Sequence, residues 1–468
     1  MAHVVTCFLR HEAEILLTRR SDAVGTYRGR WAGVSGYVEG DPAEAVDDAR
    51  REIREEVGRT DARLVAAGEP LDVVDGDREW TVHPFLFDLP DREIDPNEEL
   101  AATEWVPATA MLDRETVPGL WTAYRRVGPT VETVETDTDH GAAALSVRAL
   151  EALRDVAGEA AADEAVAGEA AAEPVADEVS AAEQSGDAGA GDADRDGWRR
   201  VARTARELRE ARPGMVAVAT RIDAAMASAA RTPGAVHRAA LDRIEAALRA
   251  DDATASAAAA LLSRDDAVAT LSRSGTVAAT LDRSRSAVLV GESRPAREGV
   301  GVAERLVARG LDVTLTTDAA LPALVDCAAG DGATTADLGL DEASLPPGYD
   351  GVDAVLVGAD AVLADGRVVN KTGTRALSLA ADRAGVPVYV VAARAKIRPD
   401  EAIHGEATDP APVYDGEASI RVASPRFDVT PADCVTAVVT EDGPLDVEAL
   451  SAVANEHRDR ARWIDALD

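Results

Sequence analysis

Residues 50–58 read RREIREEVG, which sets Glu52, Glu55 and Glu56 at i, i+3 and i+4. On a helix turning about 100° per residue these carboxylates share one arc, and Asp48 lies one turn earlier on it. Four like charges on one face repel. A hard divalent cation with oxygen ligands, Mg²⁺ (or Mn²⁺), would relieve them. The chain carries 85 Asp and Glu among 468 residues, so an ordinary solvated helix face could also present such a cluster. The surroundings favour a site. A glycine-punctuated loop, GRWAGVSGYVEGD (29–41), follows an apolar stretch at 4–20, and Gly58 stands where a helix C-cap belongs.

A second set of polar residues sits far downstream. SAVLVGES (286–293), LDVTLTTD (311–318), VDAVLVGAD (352–360) and VPVYVVAA (386–393) read as strands alternating with helical stretches. That order predicts a parallel sheet with helices on its faces, and ligands collect at the carboxyl ends of such strands. Arg294, in GESRP, offers a planar fork of donors suited to phosphate. Asn370, Lys371, Gly373 and Thr374 gather an amide, a cation, a permissive backbone and a hydroxyl at a helix N-terminus, an anion site. Singly, Asp360, Asn370 and Thr374 read equally well as helix caps; their convergence on neighbouring strand ends favours a site.

The elements that position these groups divide the chain. Residues 1–130 hold the acidic helix. Residues 155–196 contain 15 Ala and 13 acidic residues in 42, with Arg195 the only base. Such a stretch buries too little apolar area to offset its ordering entropy, so 131–197 reads as a helix end followed by an acidic flexible linker. Residues 198–264 read as a helical subdomain, and 265–468 as the parallel-sheet domain.

The formal net charge is −36, and lysine occurs only at Lys371 and Lys396. This acidic, lysine-poor composition fits concentrated salt, where charge repulsion is screened within a few Å. It argues against general nucleic-acid binding, which needs a basic patch. Cys7, Cys327 and Cys434 lie far apart without ligand spacing and read as buried hydrophobes. No run of about 18 apolar residues and no leader pattern occurs, so a cytoplasmic protein with no membrane partner is expected.

The N-terminal motif resembles the Nudix hydrolases. Arg51, Glu52, Ile53, Glu55, Glu56 and Gly58 match the second half of their signature. The first half departs: Gly36 to Arg51 is one residue too long, Ala43 takes the first Glu position, and Glu44 lies one residue out of register. The resemblance implies an α/β/α sandwich with a mixed sheet. It also implies metal-holding Glu52, Glu55 and Glu56 steadied by Arg51, and hydrolysis of a nucleoside diphosphate derivative.

The later strings resemble the alpha, beta and delta subunits of translation initiation factor 2B, a family that includes methylthioribose-1-phosphate and ribose-1,5-bisphosphate isomerases. They are ARPGM (211–215), SRSGTV (272–277), GESRP, LTTD, VGADAVLADGRVVNKTGT (357–374) and FDVTPADCVTAVVTEDG (427–443). This resemblance implies a Rossmann-like sheet and a homo-oligomer formed through the C-terminal part. A sugar phosphate or nucleotide would be held by Arg212, Ser272, Arg294, Asn370 and Lys371. Asp360 would be the acid/base group, but Ser272 stands where the isomerases carry a cysteine. A hydroxyl is a far weaker acid than a thiol, so full isomerase activity is not expected. A hydrolase fused to a sugar-phosphate-binding domain is the favoured reading. The alternative is a non-catalytic regulatory protein with a Nudix ligand sensor.

Overall fold

In the computed structural model, which describes residues 2–172, 190–326, 334–347 and 349–466, the apolar N-terminal stretch forms two antiparallel strands, β1 (Ala2–His11) and β2 (Glu14–Arg20). The glycine-punctuated loop supplies β3 (Trp31–Ala32) and β4 (Val34–Tyr37), and the acidic motif is the helix α1 (Ala45–Val57). Strands β5 (Arg63–Ala67), β6 (Leu71–Asp75), β7 (Arg78–Asp88) and β8 (Leu100–Val106) complete an eight-stranded mixed sheet. Only β1 and β7 pair in parallel, at its centre. Along β1, Val5, Cys7 and Leu9 face one apolar cluster and Phe8 the other, the period-two pattern of a strand covered on both faces. The first cluster takes Ala45, Ala49, Ile53 and Val57 of α1; the second takes Leu120, Ala123 and Tyr124 of α2 (Leu120–Tyr124).

After α3 (Val131–Thr136) come the helices α4 (Ala142–Ala172), α5 (Ala190–Glu210), α6 (Val216–Ser228) and α7 (Pro233–Ala259). The alanine-rich stretch is helical through Ala172, and its 173–189 part lies outside the described residues. Within α4, Asp155 is buried and accepts a hydrogen bond from the Tyr124 hydroxyl at 3.0 Å. Arg154, also buried, donates to Asp155 and to the Ala13 carbonyl. These bonds satisfy two charges that burial would otherwise penalise. Contacts divide the chain into two units. One comprises Met1–Val134, Arg148–Ala205 and Ala229–Ile244; the other comprises Glu135–Val147, Arg206–Ser228 and Glu245–Asp468.

The second unit holds a seven-stranded sheet built from β9 (Ala267–Leu271), β10 (Ala287–Gly291), β11 (Val313–Thr316), β12 (Ala354–Val357), β15 (Val388–Val391), β17 (Ala437–Thr440) and β18 (Gly443–Leu445). Its order is β11-β10-β9-β12-β15-β17-β18, parallel except for the last pair. Helices α8 (Gly275–Ser284), α9 (Glu298–Ala308), α10 (Leu321–Asp326), α11 (Thr374–Ala384) and α12 (Val447–Arg460) accompany these strands. Apolar clusters lie on both faces of the sheet, which is the Rossmann-like arrangement. A small antiparallel sheet of β13 (Ala361–Val362), β14 (Val368–Lys371) and β16 (Phe427–Thr430) carries the Asn370–Lys371 segment. Strand β9, fully buried inside the sheet between β10 and β12, was not foreseen. Its five residues follow an Ala- and Leu-rich helix, where a short apolar run has no period of its own. Among the described residues no helix is long and apolar enough to cross a membrane.

Candidate functional sites

In the N-terminal unit, α1 ends at Gly58, whose left-handed φ of 71° lets its N–H reach the Arg54 carbonyl at 3.1 Å. The apolar stripe turns Glu56 inward with Ile53 and Val57. Glu56 is 4% exposed and accepts the Ser35 backbone N–H at 3.2 Å. Burial, with Glu52 and Glu99 facing it, pushes the Glu56 carboxyl up to about 8. Burial also raises Glu52, with Glu55 adding to the effect and the Arg51 guanidinium opposing it.

Glu52 lies against Gly36, where an added Cβ would meet Glu52 Oε1 at 1.9 Å. The glycine is thus a requirement of the site, since only a residue without Cβ lets β4 approach this carboxylate. Arg51 spans the acids. Its guanidinium lies 2.9 Å from Glu52, 3.0 Å from Asp48 and 3.4 Å from Glu55, and also donates to the Tyr37 carbonyl. Glu44, the out-of-register candidate, is exposed and lines a separate surface pocket with Glu39, Asp48 and Arg51.

Glu52, Glu55, Arg51, Glu39 and Glu99 line a cavity of about 480 Å³. Glu99, just before β8, was missed by sequence reasoning, because nothing local in EEL marks it as a neighbour of α1. The same cavity has an apolar and aromatic lining: Val73, Val82, Val117 and Leu120 join Tyr27 and Trp80, whose ring centroids are 5.7 Å apart. Among the described residues no group of three or more His, Cys, Asp or Glu closes on a common point to hold a metal ion. What the donor set does show is mutual repulsion. Glu52, Glu56 and Glu99 face one another and two of them are raised, the electrostatic situation that an oxygen-preferring cation relieves.

In the second unit the residues foreseen at the strand ends form three local groups. Asp318, after β11, accepts the Ser293 and Arg294 N–H groups at 2.7 and 2.6 Å, and Ser293 Oγ accepts the Ser272 N–H at 2.5 Å. Ser272 and Ser293 both have left-handed backbone, φ 67° and 63°. Arg294 is exposed and donates to the Pro412 carbonyl at 2.9 Å.

The second group is the segment before α11. Asn370 donates to Thr374 Oγ1 at 3.0 Å, and Lys371 Nζ lies 3.0 Å from Glu298 Oε1. Asp428 accepts the N–H groups of Gly373 and Arg375, so the chain's own carboxylates occupy the donors read as an anion site.

The third group surrounds Asp360. Arg212, buried, donates to the Asp137 carbonyl and stands 3.7 Å from Glu406, which also faces Arg426 at 3.5 Å. Burial pushes the Asp360 carboxyl up to about 6; Lys396 opposes this, as do Arg426 and Arg212, while Glu406 adds to it. Lys396 was not singled out by sequence reasoning, although its rarity was visible. Cys327 lies outside the described residues, and Cys434 is buried.

Comparison with known proteins agrees with both units. The NUDIX domain model matches residues 2–127, and the model of the initiation factor 2 subunit family matches residues 138–329 and 345–447. The second match therefore begins ahead of the alanine-rich stretch. A ribose 1,5-bisphosphate isomerase of Haloferax volcanii is 34% identical over 177 residues, which cover 36% of this chain and 47% of the relative. The same enzyme from Archaeoglobus fulgidus is 31% identical over 180 residues, 37% of this chain and 50% of the relative. The chain thus spans about half the length of these curated relatives. The solved structure of the Pyrococcus horikoshii translation initiation factor eIF-2B is 22% identical, covers 67% of this chain and 94% of that one, and has a TM-score of 0.48. With more than half of its residues matched, the chain belongs to the initiation factor 2 subunit family and carries a NUDIX domain at its N-terminal end.

Proposed function

We propose that the N-terminal unit hydrolyses the diphosphate bond of a nucleoside diphosphate derivative with Mg²⁺ or Mn²⁺, and that the C-terminal unit binds a phosphorylated ribose. One observation carries the first half: Glu52 and Glu55 of α1 line one cavity together with aromatic and apolar side chains. Glu52, Glu55 and Glu56 would hold the cation, with Glu99 close by. When bound, the cation supplies charge neutralisation at the diphosphate and a positioned water. Arg51 orients the acids between it and the Tyr37 carbonyl. Trp80 and Tyr27 offer ring faces to a base.

The test is a hydrolysis screen on the intact chain in concentrated salt, over nucleoside diphosphate derivatives with Mg²⁺ or Mn²⁺. The expected result is cation-dependent release of a monophosphate, abolished by Glu55→Gln and by Glu56→Gln. Undiminished hydrolysis in both variants would remove this site from the reaction.

For the C-terminal unit, support comes from the isomerase relatives and from Arg212, Arg294, Asn370 and Lys371 near the strand ends. Ser272 in place of a thiol makes slow turnover the expectation. Assembly as a homo-oligomer through this unit is part of the same proposal. A non-catalytic regulatory role is the second reading. It is favoured by the pairing of Lys371 with Glu298 and of Arg212 with Glu406, which neutralises the cations a phosphate would use.

A further inference from the structure

Leu120 and Ala123 of α2, with Val117 and Gly119 just before them, line the N-terminal cavity. The segment enters the helix through Gly119, whose φ is 74° and where an added Cβ would meet Val73 Cγ2 at 2.8 Å. Two other residues of α2, Trp121 and Tyr124, are bound to α4. The Tyr124 hydroxyl donates to Asp155 at 3.0 Å, and the Trp121 indole N–H donates to Glu159 at 3.2 Å. Asp155 and Glu159 stand four residues apart and so share one face of α4. The Trp121 and Tyr124 rings lie 5.5 Å apart, and Tyr124 meets Phe8 of β1 edge-on at 5.4 Å. Each acid is itself held by an arginine. Arg154 donates to Asp155 at 2.8 Å and to the Ala13 carbonyl at 3.0 Å, and Arg200 of α5 pairs with Glu159.

A helix of five residues has no stability of its own in water, so what holds α2 decides where its cavity face lies. The NUDIX match ends at residue 127, and α4 falls within the stretch matched by the initiation factor 2 subunit family. We propose that Asp155 and Glu159 are positioning residues of the N-terminal site. By fixing Tyr124 and Trp121 they set the wall that Leu120 and Ala123 present to the substrate. An element of the initiation-factor region thus governs how tightly the NUDIX cavity binds. The proposal rests on the hydrolase reading of that cavity.

The carboxylates proposed to hold the cation lie on α1, whose apolar residues pack in a different cluster from those of α2. Loosening α2 therefore alters the apolar contact offered to the substrate and leaves the cation group in place. A loss of that kind is uniform in ground and transition state, so it raises KM and spares kcat. The chemistry of the two hydrogen bonds gives a second distinction. Glu159→Gln keeps an acceptor oxygen for the indole N–H, whereas Glu159→Ala leaves that donor without a partner. The Glu159 side chain is 25% exposed, so neither change empties the core. Tyr124→Phe removes only the hydroxyl that meets Asp155.

Two measurements on the full chain test this. The first is steady-state hydrolysis with Mg²⁺, using ADP-ribose or whichever nucleoside diphosphate derivative the screen shows to be turned over. Glu159→Ala and Tyr124→Phe should each raise KM about three- to tenfold, the worth of one hydrogen bond, with kcat nearly unchanged. Glu159→Gln should restore the KM of the unaltered chain. The second is amide hydrogen exchange without substrate. Exchange across 117–124 should quicken in Glu159→Ala and Tyr124→Phe, stay slow in Glu159→Gln, and leave α1 as it was. Unchanged exchange in both loosening variants would overturn the proposal, since α4 would not be holding the wall. Faster exchange with an unchanged KM would overturn it too and leave α4 as a support of the fold only. A fall in kcat in place of a rise in KM would do the same. Absence of hydrolysis in the unaltered chain would remove the hydrolase reading alone, with exchange at 117–124 still deciding whether α4 fixes this segment.

Discussion

The Glu56 carboxylate accepts the Ser35 backbone N–H at 3.2 Å, a bond that ties the acidic helix to the glycine-bearing strand and buries the acid while doing so. Burial is the dominant effect and sets the folded carboxyl at about 8 against an ordinary 4.5. A raised acid stabilises the fold in its protonated form. That contribution is complete below about 4.5 and is lost as pH climbs through about 8. Without divalent cations, stability should therefore fall across this window, by at most about 1.4 kcal/mol per pH unit. Thermal melts of the chain and of Glu56→Gln should show the slope reduced in the variant. Added Mg²⁺ should flatten it in the unaltered chain. Equal slopes in both proteins would remove Glu56 as the cause.

Gly36→Ala should damage the N-terminal site more than the fold. The new methyl meets Glu52 at 1.9 Å, so the carboxylate must swing away. A misplaced catalytic group commonly costs about 10²-fold in rate. Cation-dependent hydrolysis is expected to drop by at least that much, with the far-ultraviolet circular dichroism unchanged. Full activity in the variant would show that Glu52 need not lie against this strand.

Glu298→Gln should strengthen phosphate binding in the C-terminal unit. Glu298 now takes Lys371 at 3.0 Å, and its Oε2 is buried with no hydrogen-bond partner. An amide still accepts from the lysine but leaves its charge available. An affinity gain of about tenfold, or about 1.4 kcal/mol, is expected. Calorimetry with inorganic phosphate and with ribose 1,5-bisphosphate measures it. Unchanged affinity for both would mean that Lys371 does not meet the ligand.

Ser272→Cys should raise any weak isomerisation. Ser272 sits at the end of β9 with φ 67°, held by the Ser293 hydroxyl on its N–H, so the substitution changes a side-chain atom and leaves the backbone restraint. A thiol gives up its proton far more readily than a hydroxyl. Turnover of ribose 1,5-bisphosphate by the two proteins, compared across pH, reads the effect. A rate unchanged in Ser272→Cys would mean that this position does not carry the missing proton transfer.

The acidic arc on α1, its C-cap at Gly58 and the strand–helix alternation after residue 286 follow from local spacing, and all three were legible in the sequence. Amphipathic period and turn residues are properties of neighbours in the chain, which is why these elements could be read without coordinates. Rarity marked Lys371 and Lys396 in the same way, though only one was read as functional. Tertiary structure alone decided the charge partners. Glu99 faces Glu56 across 43 residues of sequence, Glu298 takes Lys371 across 73, and Lys396 faces Asp360 across 36. In an acid-rich chain every cation has many candidate carboxylates. Strand order and burial choose among them, because only a desolvated pair at close range interacts strongly. Strand β9 shows the same limit in the backbone: four apolar residues and Thr270 carry no period, and their place inside the sheet is set by β10 and β12 on either side.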